Sequence, residues 1–144
     1  MTQLVAAPQR RASRLPAFAA PVAVALAAGA ATAFVAAVDP HEAGHYPTCP
    51  SLWLTGWYCP GCGSLRAIHD LAHFNFAGAI DMNPFAIVAI AWLVWRWGWW
   101  LAGTLGHGRV AKPAPAWTLY VLAGGVVAYW ILRNVGPLAP YLAP

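Results

Sequence analysis

Three long apolar stretches, at 17–38, 84–105 and 116–135, dominate this chain. Each is long enough to form a helix of about 20 residues, the length that crosses a hydrocarbon core about 30 Å thick. Only 8% of the residues are charged, whereas a typical soluble domain carries about 25%. So few charges cannot cover a water-exposed surface. The sequence therefore predicts an all-α membrane protein with three transmembrane helices.

The first apolar stretch resembles a signal peptide, because Arg10, Arg11 and Arg14 precede it. Its apolar run is longer than the roughly 7–15 residues of a signal-peptide core. We therefore expect a retained signal anchor, with 1–16 as a basic cytoplasmic tail and 17–144 as a single membrane domain.

Basic residues are distributed unevenly around the apolar stretches. Five of the eight lie before the first stretch or between the second and third stretches. Both regions are on the cytoplasmic side when the amino terminus is cytoplasmic. This asymmetry predicts a protein of the bacterial cytoplasmic (inner) membrane, with its carboxyl terminus extracytoplasmic. Attraction to lipid headgroups accounts for the net charge of +4 without a nucleic-acid partner. The five residues are Arg10, Arg11, Arg14, Arg109 and Lys112.

The segment 39–83, between the first two spans, holds every acidic residue and all three cysteines. This extracytoplasmic loop is much longer than ordinary connections between helices, so it is the functional candidate. Its later part predicts a short amphipathic interfacial helix with Ser64 as N-cap. The apolar side would carry Leu65, Ile68, Ala72 and Phe76, and the polar side Arg66, His69, Asp70 and His73.

Several short motifs occur in a fixed order along the chain: Cys49-Pro50, Thr55-Gly56, a CPGCG-x-x-RA box at Cys59–Ala67, Asn83-Pro84 and Arg133-Asn134. In this order the chain resembles, over most of its length, the bacterial membrane-protein family of unknown function 2752. One departure is Leu65, where the family box usually has threonine.

The resemblance implies an architecture but no reaction. It implies structural roles for the motif residues, and Asn83-Pro84 independently reads as an N-cap followed by a first-turn proline. The structural motif residues are Pro60, Gly61, Gly63, Asn83, Pro84, Arg133 and Asn134.

One interpretation of the cysteines is a disulfide, because an extracytoplasmic loop lies in an oxidising compartment. Cys49 would pair with Cys59 or Cys62, and one cysteine would remain unpaired. A second interpretation is thiol–disulfide chemistry that uses Cys59, Cys62 and Arg66, since a cysteine before a helix and beside an arginine favours the thiolate.

A third interpretation is a metal site. Cys59 and Cys62 have the spacing of a zinc knuckle, and His69 and His73 lie four residues apart on one helix. These four side chains would hold zinc. The competing interpretation is a solvated polar face, on which Asp70 pairs with Arg66.

The segment His41-Glu42-Ala43-Gly44-His45 matches the letters of the zinc-protease motif H-E-x-x-H. That chemistry needs both histidines on one helix turn. Gly44 and the neighbouring prolines oppose such a helix, so we expect turns and no protease.

No nucleotide, flavin or phosphate motif is present in the sequence, which favours a non-enzymatic role. We expect an envelope accessory or assembly component, embedded in the lipid bilayer and associated with a membrane-protein partner or with its own copies. The alternatives are a thiol-redox factor and a zinc-binding membrane protein that uses the CPGC motif.

Overall fold

The computed structural model describes residues 16–107 and 115–143. Within these residues all regular structure is helical and no strand occurs, as the sequence predicts. The basic residues Arg10, Arg11, Arg14, Arg109 and Lys112 lie outside the described residues. The helices are α1 (Ala19–Ala37), α2 (Pro50–Thr55), α3 (Ser64–Ala72), α4 (Phe76–Met82), α5 (Pro84–Thr104), α6 (Trp117–Leu132) and α7 (Ala139–Leu142).

Two helices, α1 and α5, are long and apolar enough to cross a membrane. The third predicted span is shorter, because α6 has 16 residues and a bilayer requires about 20. Large apolar side chains on these helices remain exposed, including Leu26 at 70% and Val88 at 68%. Such surfaces are stable only against lipid or another apolar partner.

The helices α1 and α5 contact each other and run antiparallel. The indole Nε1 of Trp97, near the end of α5, donates to the carbonyl of Pro21, near the start of α1, at 3.0 Å. The chain between them folds back over one end of this pair, where α3 packs against both α1 and α4. This arrangement places the cysteine-containing segment at that end.

The start of α5 follows the sequence prediction. The side chain of Asn83 accepts a hydrogen bond from the backbone N–H of Ala86 at 3.0 Å, and Pro84 occupies the first turn. The predicted start of α3 was wrong by one residue, because Gly63 is the N-cap and Ser64 already belongs to the helix. Gly63 has φ +81°, a conformation that glycine adopts without strain.

The stretch 64–76 is not one continuous helix. Helix α3 ends at Ala72, and Phe74 has a positive φ of 60° before α4 begins. The expected solvated polar face of α3 is also wrong. Asp70 is buried and its carboxylate accepts from the Asn75 amide at 3.2 Å. Arg66 donates from Nε to the carbonyl of Pro40 at 3.2 Å, so this contact takes the place of the predicted Arg66–Asp70 pair.

Candidate functional site

Three cysteines meet where α2 begins and where the CPGCG box precedes α3. The sulfur atoms of Cys49, Cys59 and Cys62 all lie within 4.8 Å of one another. All three are free thiols, and the Sγ atoms of Cys59 and Cys62 are 3.2 Å apart. The structure therefore gathers the cysteines into one thiol cluster without either of the disulfides considered from the sequence.

The box itself folds into a tight turn, here called the knuckle (residues 59–63). The backbone N–H of Cys62 donates to the carbonyl of Cys59 at 3.1 Å, and that of Ser64 donates to Gly61 at 3.0 Å. The N–H of Cys59 points back to the Cys62 sulfur at 3.2 Å. These bonds turn both sulfurs to the same side of the chain.

Three side chains from distant parts of the sequence hold the knuckle and the residue before it. We call Asn83, Arg133 and Asn134 the polar clasp. The amide of Asn83 donates to the carbonyls of Pro60 and Cys62, both at 3.0 Å, and to the Ser64 hydroxyl at 3.1 Å. Asn83 is fully buried, so these bonds satisfy the hydrogen-bonding needs of an amide that water does not reach.

Arg133 holds the same backbone from the end of α6. Its Nη1 donates to the carbonyls of Cys59, Pro60 and Cys62 at 3.0, 3.3 and 3.1 Å. The guanidinium is fully buried, and its Nε and Nη2 have no hydrogen-bond partner. The Cζ atom of Arg133 lies 5.1 Å from the ring centre of Tyr129, within the range of a cation–π interaction.

Asn134 completes the clasp one residue further along. Its side-chain oxygen accepts from the backbone N–H of Tyr58 at 2.8 Å, and its amide donates to the Tyr58 carbonyl at 2.9 Å. The hydroxyl of Tyr129 donates to the Asn83 oxygen at 3.0 Å. The motif pairs Asn83-Pro84 and Arg133-Asn134 thus converge on the residues that carry the cysteines.

The local environment gives the thiols of Cys49 and Cys62 different pKa values. The pKa of Cys49 is lowered to about 6, because the backbone N–H of Leu52 donates to its sulfur and the thiols of Cys62 and Cys59 also stabilise the thiolate. Burial raises the pKa of Cys62 to about 12, and its hydrogen bonds to Cys49 and Cys59 add to that rise. At neutral pH the metal-free cluster therefore carries its thiolate on Cys49.

This difference predicts the pH dependence of alkylation in the metal-free protein. The rate at Cys49 should be flat above about pH 7, where the thiol is already ionised, and should fall about tenfold per unit below pH 6. Cys62 should stay unmodified throughout. Alkylation followed by peptide mapping measures both rates, and the denatured chain is the control. A Cys49 rate that still climbs between pH 8 and 9 in the folded protein contradicts the assignment.

A cavity of about 500 Å³ adjoins the thiol cluster. Its walls come from the loop after α1, from α2 and from the knuckle, and all three cysteines line it together with Leu52, Tyr58 and Arg66. The guanidinium of Arg66 therefore lies on the wall of the same cavity, as a second cation near the cysteines. A small ligand or an ion can reach the sulfurs through this space.

The four metal ligands considered from the sequence are not brought together. Cys59 and Cys62 join Cys49, whereas His69 joins a separate group with Asp39 and His41. The ring of His73 lies against His69, with centroids 4.3 Å apart, and donates to the carbonyl of that residue at 2.9 Å. The helical spacing correctly placed His69 and His73 on one face of α3. It could not show that this face lies away from the three cysteines.

Sequence reasoning also missed two contributors. Tyr129 reads as one more apolar aromatic of α6, and nothing in its neighbours indicates that its hydroxyl reaches Asn83. Cys49 was considered only as a disulfide partner, although its place before Pro50 marks the start of a helix. The segment from His41 to His45 forms turns, as expected, so it lacks the helix of a zinc protease.

The model of the family described as Protein of unknown function (DUF2752) matches residues 49–97. This match confirms the family that the motifs predict. The matched segment contains the thiol cluster, Asn83 and Pro84, whereas Arg133 and Asn134 lie beyond it. The match is therefore shorter than the resemblance over most of the chain that the motifs indicated. No curated protein and no solved structure matches the chain.

Proposed function

We propose that this chain, whose residues 49–97 belong to the DUF2752 family, is a membrane protein that binds a thiophilic metal ion through Cys49, Cys59 and Cys62. The observation that carries the proposal is the approach of the three sulfurs to within 4.8 Å of one another beside a cavity. This cluster contains all three cysteines of the sequence.

Zinc is the ion that fits this set best. Three thiolates at about 2.3 Å from one tetrahedral ion stand about 4 Å apart, which the cluster reaches with small side-chain rotations. Structural zinc sites are closed by four protein ligands, whereas three ligands leave a position open. That position faces the cavity, where water or a donor from another molecule can complete the coordination.

The clasp supplies a matching charge. Three thiolates around Zn²⁺ carry a net charge of −1, and the buried guanidinium of Arg133 is held against the backbone of two of the three cysteines. Arg133 has no carboxylate partner in the described residues, so an anionic metal–thiolate centre would compensate its buried charge. Arg66 adds a second cation at the cavity wall.

The placement in the membrane is part of the proposal. The amino terminus is cytoplasmic, α1, α5 and α6 cross the bilayer of the bacterial inner membrane, and the cysteines lie on the outer side. In support, exposed apolar side chains on α2 and near α3 provide an interfacial surface, including Trp53 at 77% and Phe74 at 81%. The protein then acts as an envelope accessory or assembly component, alone or with other copies.

A second candidate function is thiol–disulfide exchange, and the 3.2 Å contact between the Cys59 and Cys62 sulfurs favours it. In this reaction the two thiols give up two protons and two electrons and form one S–S bond. A disulfide of a partner protein accepts them, its S–S bond breaks and two thiols form.

The test counts cysteines that react with maleimide in detergent-purified protein by intact mass, with and without a chelator and with and without a reductant. We expect protection that the chelator alone removes, together with at least one bound Zn²⁺ per chain measured by elemental analysis. The variant Cys49→Ser should weaken zinc binding by more than about tenfold. Labelling that appears only after reduction supports thiol exchange, and full labelling without either reagent contradicts the metal site.

A further inference from the structure

A second group of metal-ligating side chains lies apart from the thiol cluster and shares no residue with it. We call Asp39, His41 and His69 the histidine cluster; one ligand atom from each lies within 4.8 Å of the other two. Asp39 and His41 follow the end of α1, and His69 lies on α3, which packs against α1. The side chain of His69 is only 14% exposed.

The ring nitrogens of His69 have fixed roles. Its Nδ1 lies 3.0 Å from the carbonyl oxygen of Val35. A carbonyl only accepts, so Nδ1 carries the hydrogen and Nε2 is left with a lone pair. A backbone carbonyl that holds the far nitrogen in this way is the usual outer partner of a metal-binding histidine.

The lone pair of His69 faces a carboxylate. Its Nε2 lies 3.7 Å from Oδ1 of Asp39, too far for a direct hydrogen bond. Two ligand atoms that each stand about 2.0–2.2 Å from one ion are about 3–4 Å apart. The gap between these atoms thus has the width that a bridging cation needs.

His41 repeats the arrangement on the other side. Its Nδ1 lies 2.8 Å from Oδ1 of Asp39, and its Nε2 lies 3.7 Å from Oδ2 of the buried Asp70. The backbone N–H of His41 also donates to Oδ1 of Asp39 at 2.8 Å. The carboxyl groups of Asp39 and Asp70 and the imidazoles of His41 and His69 therefore lie next to one another.

We infer that the histidine cluster is a second metal site, which binds a divalent ion of the zinc type through Asp39, His41 and His69. Imidazole and carboxylate are ligands that such ions accept, and they differ from the soft thiolates of the first site. Three protein ligands leave a coordination position for water. The inference is independent of the proposed thiolate site, because neither site needs the residues of the other.

The test uses Zn²⁺ and Co²⁺ as probes on the full chain in detergent. We expect the wild-type protein to bind two equivalents of Zn²⁺, and the variant with Cys49→Ser, Cys59→Ser and Cys62→Ser to keep one. With Co²⁺ that variant should show visible d–d absorption without the sulfur-to-cobalt charge-transfer band. Adding His69→Gln should lower the remaining affinity by more than about 100-fold.

Two further variants keep the test valid if the cysteine variant misfolds. In the wild-type background, Asp39→Asn should reduce the stoichiometry from two to one and leave the charge-transfer band intact. His107→Gln, in the connection after α5, is the matched control and should retain both equivalents. A stoichiometry of one or none that Asp39→Asn and His69→Gln do not change overturns the second site. Loss of the charge-transfer band in the wild-type protein overturns only the thiolate site.

Discussion

Asn83→Ala is expected to lower the free energy of unfolding by about 4 kcal/mol, the largest effect of any single substitution near the knuckle. The side chain caps α5, donates to two carbonyls and one hydroxyl, and accepts from Tyr129. Losing an N-cap costs about 1 kcal/mol. Each further buried hydrogen bond contributes about 1 kcal/mol net, and the two amide hydrogens together with the Tyr129 hydroxyl supply about three such bonds. Denaturant titration in detergent micelles, followed by circular dichroism, measures the loss.

The chain offers a matched control for this substitution. Asn75 is also an asparagine N-cap, and its side chain accepts from the backbone N–H of Gly78 at the start of α4. Its amide also donates to Asp70, so Asn75→Ala should cost about 2 kcal/mol, half of the loss expected at Asn83. Asn83→Ser keeps a capping oxygen but does not reach the knuckle, and it should recover about 1 kcal/mol. Equal losses at positions 75 and 83 would mean that Asn83 acts only as a cap.

Arg133→Met is expected to weaken zinc binding by about 10- to 100-fold, the range found when outer partners of metal ligands are removed. The effect on folding should be smaller. Each carbonyl that loses Arg133 keeps another donor, since Cys59 accepts from the N–H of Cys62, and Pro60 and Cys62 accept from Asn83. Removing a buried cation with two unbonded nitrogens also offsets part of the loss.

Competition with a chromophoric zinc chelator measures this change in affinity. Arg96→Met removes the same charge from α5, outside the knuckle and the clasp, and should change the affinity less than about threefold. Arg133→Lys keeps a charge but loses the planar group that reaches three carbonyls, so it should fall between the two. Similar affinities for Arg133→Met and the wild-type protein would show that the guanidinium does not compensate the metal centre.

The parts of the fold that follow from local sequence were predictable. Apolar length locates α1 and α5, and Asn83-Pro84 locates the start of α5, because an N-cap and a first-turn proline act within four residues. Gly44 and Pro47 correctly indicate turns between His41 and His45. Each of these predictions depends on neighbours along the chain, where steric and capping rules apply directly.

The candidate site was less predictable, because its contacts join distant residues. The spacing of α3 separates a polar from an apolar side, but it does not show which side meets the rest of the protein. Asp70 turned inward and Leu65 outward, with 41% of Leu65 exposed. Tertiary packing, rather than periodicity, also brings Cys49 to the other two cysteines. It likewise brings Arg133 and Asn134, at the end of α6, to the knuckle and the residue before it.

The long sequence separation between Arg133 and the knuckle constrains the order in which the protein assembles. Arg133 is 74 residues from Cys59 along the chain, so all of the intervening residues must be synthesised before this contact can form. A nascent chain that ends before Tyr129 contains all three cysteines and Asn83 but lacks Arg133 and Asn134. The knuckle can therefore acquire its complete set of backbone contacts only after α6 has been synthesised, so the order of synthesis delays the final geometry of the thiol cluster.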